Sequence, residues 1–296
     1  MSHIKIKKGI VLAGGSRNSL YPIATAVSKH FFPLYNKPMI YYPVSTLMLA
    51  GIKDILLISA PEDLPVFQKL LGDGLQWGIS IRYAVQPKPR GIAEAFIIAE
   101  DFIDGDSCAL ILGDNLFYGY GLSEMLSDCV LIEKGAKIFA YRVKNPQRYG
   151  VVEFDSLQRV ISVEEKPLKP KSPFVVTGLY FFDNHVVERA KSLKLSNRDN
   201  FEISDLIKIY LENGELIARP LGRGMAWLDT STFDSLLEAS NFIKIIEERQ
   251  GLRIGCLEEI AYRNNFISKE QFKKLAESLS KTEYGQYLYK ILINKI

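Results

Sequence analysis

Cysteine is scarce in this chain: only Cys108, Cys129 and Cys256 occur, with no Cys-x-x-Cys pair and no Cys/His spacing. This excludes a disulfide framework and a structural zinc site, and it fits a reducing compartment. Histidine is equally thin. His3, His30 and His185 share no spacing of a metal site or a catalytic triad, and they read as structural or surface residues. No segment approaches the roughly eighteen consecutive apolar residues of a membrane span. The apolar run at residues 10–13, behind a basic N-terminus, is too short for a secretion signal, so a cytoplasmic protein is expected. Net charge is small, with 37 Lys and Arg against 34 Asp and Glu, which gives no reason to expect nucleic acid or a membrane as partner. G-x-G-x-x-G, a closing G-K-[S/T] and G-x-S-x-G are all missing. The dinucleotide fingerprint, the P-loop and the acyl-transfer elbow are thereby excluded.

What is present is ordinary globular material: 296 residues, 47% hydrophobic and 24% charged, enough for a large core. Short apolar runs alternate with helical patterns through the first half, the texture of a wound α/β sheet. Strands are expected at 9–13, 54–59, 79–85 and 108–112, with helices at 38–50, 61–71 and 91–102. Period-two patterning then strengthens, giving strands at 136–143, 150–154, 160–164 and 175–182 and a hairpin turn at 155–158. Helices follow at 184–191 and 202–213, and short strands at 216–220 and 225–228. From residue 232 onward only helical patterns occur. The economical reading is one α/β domain, residues 1–240, with a C-terminal helical extension, residues 241–296, packed on it.

In an open α/β sheet, ligands gather at the carboxyl ends of the strands. Gly14-Gly15 leaves the first buried strand there. It reads equally as a tight turn or as backbone that approaches a phosphate or base closely. Asp114, in Gly113-Asp114-Asn115, ends the strand at 108–112, and taken alone it is most simply a surface turn. Asp229, in Trp227-Leu228-Asp229-Thr230, is a second acidic strand end. Two aspartates make the hard oxygen set that holds Mg²⁺ together with substrate phosphates, as phosphoryl-type transfer needs. Lys29 and Lys166 are each solvated charges when taken singly. Beside two strand-end aspartates they would form a cationic cradle for anionic substrates.

These segments, with Leu20-Tyr21-Pro22, Lys37-Pro38-Met39-Ile40, Glu165-Lys166-Pro167 and Thr177-Gly178-Leu179-Tyr180, resemble the sugar-1-phosphate nucleotidylyltransferases over essentially the whole chain. The resemblance implies a Rossmann-like mixed, mostly parallel sheet of the nucleotide-diphospho-sugar transferase type, a C-terminal helical part and a homotetramer. It implies Mg²⁺-dependent attack of glucose 1-phosphate on the α-phosphate of dTTP. The products would be pyrophosphate and dTDP-glucose for rhamnose-type deoxysugars. On this reading Asp114 and Asp229 hold Mg²⁺, Lys29, Lys166 and Arg17 serve catalysis, and Lys166 also holds the sugar phosphate. Gly14, Gly15, Gln86 and Gly91 bind the nucleotide. Gln86 reads the base, because a carboxamide can accept from N3–H and donate to O4 of thymine. Gly150, Glu165 and Thr177 lie on the sugar-phosphate side, which Gly91 also borders. Tyr118, Gly119, Arg223, Glu258, Glu259 and Arg263 match a second nucleotide site at a subunit interface, used for feedback inhibition, with interface packing as the other account. Tyr120 stands there in place of the family's histidine.

The family's phosphate loop reads G-G-x-G-T-R-L-x-P, whereas here Arg17, Asn18 and Ser19 replace its third glycine, threonine and arginine. Losing such a transition-state contact costs about 10²–10³ in rate. Arg17 restores the charge two residues early. The expectation is reduced transferase activity, with a non-catalytic nucleotide- or nucleotide-sugar-binding regulatory paralogue as the alternative. Arg90 and Glu94 stand where the family has an acidic residue and a glutamine. Ser231-Thr232-Phe233 replaces G-T-H after Asp229-Thr230.

Overall fold

A computed structural model describes residues 4–15 and 20–293. The apolar runs Lys8–Leu12, Asp54–Ser59 and Cys108–Leu112 are almost wholly buried, as parallel strands covered by helices on both faces must be. With Ser80–Val85 they form a parallel block in the order Cys108–Leu112, Lys8–Leu12, Asp54–Ser59, Ser80–Val85. Phe174–Phe182 joins Cys108–Leu112 antiparallel and carries the sheet on to Gly150–Phe154 and Val160–Glu165. Its other edge takes Ala136–Arg142, with Leu216–Pro220 parallel beyond. The result is a mixed sheet of nine strands.

Successive strand residues face opposite sides, so the sheet has two cores. Val11, Leu57, Ile111 and Phe181 pack beneath the helix Tyr41–Leu49, while Ile10, Ile58, Leu110 and Phe182 pack with Phe96, Leu206 and Tyr210. The first core continues into the C-terminal helices Leu257–Arg263, Lys269–Ser278 and Glu283–Leu292 through Leu257, Phe272 and Leu288. Between sheet and tail runs the helix Phe233–Gln250. It opens on a capping box in which Thr232 and Ser235 each accept a backbone N–H of the other.

Phe174–Phe182 divides one edge between two partners. Phe174 and Val175 pair with Val152 and Val151, and residues 179–182 pair with residues 108–111. Residues 176–178 fall in the gap. The Gly178 N–H there donates to Asn115 Oδ1 at 3.2 Å in place of a ladder bond.

Several expected helices begin later than their sequence patterns, two of them for a visible reason. The one at 91–102 forms as Glu94–Ile98 and Glu100–Ile103. Gly91 is held at φ +95° with the Phe201 backbone so close that a Cβ would lie 2.4 Å from its carbonyl oxygen, so the helix starts later. The helix at 38–50 begins only at Tyr41, because Lys37–Pro38 pairs with Pro33–Leu34 as a small hairpin. A further pair, Asn115–Tyr118 with Ala226–Asp229, has only one member foreseen from sequence.

Candidate active site

Strand register assembles the site. Leu12 and Leu112 are direct neighbours in parallel strands, so Gly14-Gly15 and Gly113-Asp114 leave the carboxyl edge side by side. Asn115–Tyr118 then pairs with Ala226–Asp229 in a register that sets Asp229 opposite Asn115. Thr230 closes the junction: its N–H and hydroxyl donate to the Asp114 carbonyl at 3.1 and 2.9 Å. Two aspartates far apart in sequence thus meet at one cleft.

Two cavities share Asp114, Leu112 and Ile92 as a common wall. One, of about 320 Å³, is lined by Gly14, Gly15, Lys29, Gln86, Gly91 and Asn200. The other, of about 270 Å³, holds Gly150, Glu165, Lys166, Thr177, Ser204 and Asp229. Gly91 lines the first cavity and not the second, and packing against Phe201 holds it on the Gln86 side. Arg17, with Asn18 and Ser19, lies outside the described residues.

In the common wall, Lys29 Nζ donates to Asp114 Oδ2 at 2.5 Å and Asn115 Nδ2 to Oδ1 at 2.8 Å. Burial pushes the Asp114 carboxyl up. Lys29, His30 and the two hydrogen bonds outweigh that and hold it down at about 2. His30 lies behind, its Nδ1 bonded to Ser28 Oγ at 2.9 Å. Burial first, then Lys29, lower its pKa to about 3 against the opposing pull of Asp114, so the imidazole is neutral.

On the second side, Asp229 Oδ2 accepts from the Tyr149 hydroxyl at 2.6 Å and Oδ1 from the Ser231 N–H at 2.9 Å. Glu165 accepts from the Ser204 hydroxyl and lies 3.7 Å from both Lys166 Nζ and Arg198 Nη2. Lys166 occupies φ +45°, sparsely populated for a side chain of its size, with its N–H held by the Tyr149 carbonyl at 3.0 Å. Thr177 Oγ1 is buried without a hydrogen-bond partner.

Several site residues carry no sequence signal. Arg198 and Asn200 sit in a polar loop that any solvated turn would match, and Tyr149 precedes a strand of unremarkable pattern. Asn115 reads as a mere neighbour of Asp114. Its Oδ1 also accepts from Trp227 Nε1 at 2.6 Å, which makes its carboxamide the joint between three strands and the carboxylate.

The nucleotidyl transferase family model matches residues 8–245. A glucose-1-phosphate thymidylyltransferase of Neisseria meningitidis is 56% identical over 285 residues, covering 96% of this chain and 99% of that protein. The chain belongs to the nucleotidyl transferase family. A glucose-1-phosphate thymidylyltransferase of Mycolicibacterium smegmatis is 52% identical at the same coverage. A solved Bacillus anthracis structure in complex with a sucrose matches with a TM-score of 0.74 at 37% identity, over 79% of this chain and 94% of its own. A UDP-glucose pyrophosphorylase complexed with UDP-glucose, 21% identical, shares the fold, with a TM-score of 0.72 over 81% of this chain and 99% of its own.

As a nucleotidyltransferase, the chain must manage phosphate charge. Asp114 and Asp229 offer hard oxygen donors, and no cluster of three or more His, Cys, Asp or Glu forms among the described residues. Each of their carboxylate oxygens takes one hydrogen bond and keeps lone-pair capacity. This donor set fits Mg²⁺ with phosphate or water completing its shell.

The residues matched to a second nucleotide site lie on two elements. Tyr118 and Gly119 close the strand Asn115–Tyr118, beside Met225, and Arg223 lies in the turn that leads into its partner strand Ala226–Asp229. The Tyr118 hydroxyl donates to Gln250 at 3.0 Å. Glu259 and Arg263 pair at 2.7 Å along the helix Leu257–Arg263. Glu258 is placed differently. One step along that helix it turns inward, where it accepts from Trp77 Nε1 at 3.0 Å and from the Tyr284 hydroxyl, and it is buried. No helix among the described residues is long and apolar enough to cross a membrane.

Proposed function

We propose that this nucleotidyltransferase joins dTTP to glucose 1-phosphate, forming dTDP-glucose and pyrophosphate. The observation that carries the reading is Asp114 as the shared wall of two cavities, one lined by glycines and Gln86, the other by Lys166, Glu165 and Thr177. The orphan Thr177 hydroxyl is a buried group that a sugar hydroxyl would satisfy. The names of the relatives support the substrate pair.

In the reaction, an anionic oxygen of the sugar phosphate attacks the α-phosphorus in line. The bond to the β-phosphate breaks and pyrophosphate leaves, with no proton to be moved. Lys29 offsets charge gathering on the α-phosphate, Lys166 and Arg198 hold the sugar phosphate, and Gln86 selects the base. Asp114 and Asp229 would hold Mg²⁺, which when bound neutralises phosphate charge. The same reading carries a lowered rate from the Arg17-Asn18-Ser19 loop, a cytoplasmic homotetramer feeding rhamnose-type sugar synthesis, and feedback at a site including Tyr118, Arg223 and Glu259. Three free, buried cysteines accord with a reducing setting.

The test is pyrophosphate release from dTTP, glucose 1-phosphate and Mg²⁺, run beside the Arg17→Gly/Asn18→Thr/Ser19→Arg variant. Mg²⁺-dependent release is expected from the native chain, rising by about 10²-fold in the variant. Equal rates would mean that Arg17 already restores the loop. Release from the variant alone would make the native chain a binding protein, and release from neither would end the reading.

A further inference from the structure

The two ends of the Gln86 carboxamide have different neighbours. Nε2 donates to Glu94 Oε2 at 2.8 Å and lies 3.5 Å from the Gly91 carbonyl. Oε1 lies beside Gly14, where a Cβ would come within 2.6 Å of it. Glu94 is itself buried, only 4% exposed. Its other oxygen, Oε1, takes Arg90 Nε at 2.8 Å and Nη2 at 2.6 Å. An ion-paired carboxylate accepts hydrogen bonds and donates none. The Gln86 amide therefore has one satisfied orientation, with Nε2 on Glu94 and Oε1 toward the Gly14 side of the first cavity. Arg90 and Glu94 are also the two positions in this segment where an acid and a glutamine are replaced together.

We propose that Glu94 is a positioning residue that sets base selection by locking the Gln86 amide. The inference rests on the reading of the first cavity as a thymidylyl site. With Oε1 presented, Gln86 accepts the N3–H of thymine or uracil. Cytosine carries a lone pair at N3, so the same geometry sets acceptor against acceptor. Reading cytosine would require the amide to turn over, which drives Oε1 onto the Glu94 carboxylate with no proton between them. A buried acceptor left in that state is strongly disfavoured. Glu94 thus excludes the wrong base without touching it, and Arg90 holds the carboxylate in place.

Calorimetric titration of dTTP and dCTP with Mg²⁺, without sugar phosphate so that nothing turns over, tests this on the native chain, Glu94→Gln and Glu94→Met. In Glu94→Gln the new amide keeps its oxygen on Arg90 and points its NH₂ at Gln86, which turns Nε2 to the base. The native preference for dTTP over dCTP should fall at least about tenfold in that variant. Glu94→Met removes acceptor and donor alike, and its ratio should lie between the other two. Thermal melts identify which variants are folded, and either folded variant decides. A purely structural role would weaken both nucleotides together and leave the ratio unmoved, and that result overturns the inference while leaving the thymidylyl reading intact. A native chain that binds dTTP no better than dCTP overturns both.

Discussion

His30 is neutral because burial and Lys29 together make its protonation costly, and this has a consequence for stability. An imidazole in an unfolded chain takes its proton near pH 6.5, whereas in the folded protein the pKa is about 3. Between those values the unfolded state binds a proton that the folded state refuses. Stability therefore falls as pH drops below about 6.5, by up to about 1.4 kcal/mol per pH unit. Urea unfolding at pH 7.5 and 5 should show the native chain losing about 2 kcal/mol more than His30→Gln over that interval. Identical losses would mean that the folded protein protonates His30 with ease. From sequence His30 reads as a structural or surface residue, since no partner stands at a ligand spacing. Its burial against Gly113, where a Cβ would lie 2.7 Å from the ring, comes from strand neighbours that no local pattern announces. Asn115 is the same case: its identity is plain, and its three partners come from other strands.

At the level of elements, the cleft opens where one edge of Phe174–Phe182 passes between two ladder partners, and Gly178 is the residue that makes the gap tolerable. A Cβ at Gly178 would lie 2.4 Å from Asn115 Oδ1 and 2.8 Å from Leu112 Cδ1. Gly178→Ala must push Asn115 away and leave the Gly178 and Trp227 N–H donors unsatisfied, at about 1–3 kcal/mol for each. Because Asn115 also holds Asp114, pyrophosphate release should drop along with the urea midpoint. A variant matching the native chain in both would remove Asn115 as the joint of the site. Strong period-two segments are legible from sequence, and the strands Gly150–Phe154 and Leu216–Pro220 form at their expected bounds. What local patterning could not supply is partnership. Asn115–Tyr118 and Ala226–Asp229 are four residues each, and only their mutual register brings Asp114 and Asp229 to one cleft. Likewise, the helical pattern at 91–102 yields to a contact between Gly91 and Phe201, far along the chain.

Across the whole molecule, one buried ion pair ties the segment that follows Lys29 to the long helix Phe233–Gln250. Lys37 Nζ lies 2.9 Å from Glu247 Oε1 and 2.5 Å from Asn36 Oδ1, and both charged side chains are almost fully enclosed. Burial pushes the Lys37 pKa down, and Glu247 opposes it. The two partners are unequally supported. Glu247 also accepts from the Ile254 N–H at 2.8 Å and Asn36 Nδ2 at 2.7 Å, with Arg253 at 3.7 Å, whereas Lys37 has Asn36 as its other acceptor. Removing one partner of a buried pair costs about 3–5 kcal/mol when the survivor is left uncompensated. Glu247→Gln strands the Lys37 ammonium and should reach that range. Lys37→Met leaves a carboxylate still served by Arg253 and two N–H donors, and should cost less. Combining them removes the stranded charge, so the double variant should be more stable than Glu247→Gln alone, though the Ile254 N–H then meets a weaker acceptor. Urea unfolding of all four proteins gives the cycle, and because sheet and tail share one core each should unfold in a single transition. Equal costs for the two single variants would mean that Arg253 and the N–H donors do nothing for Glu247. Negligible costs in all three variants would instead mean that the hairpin bearing Lys37 is held there by packing alone.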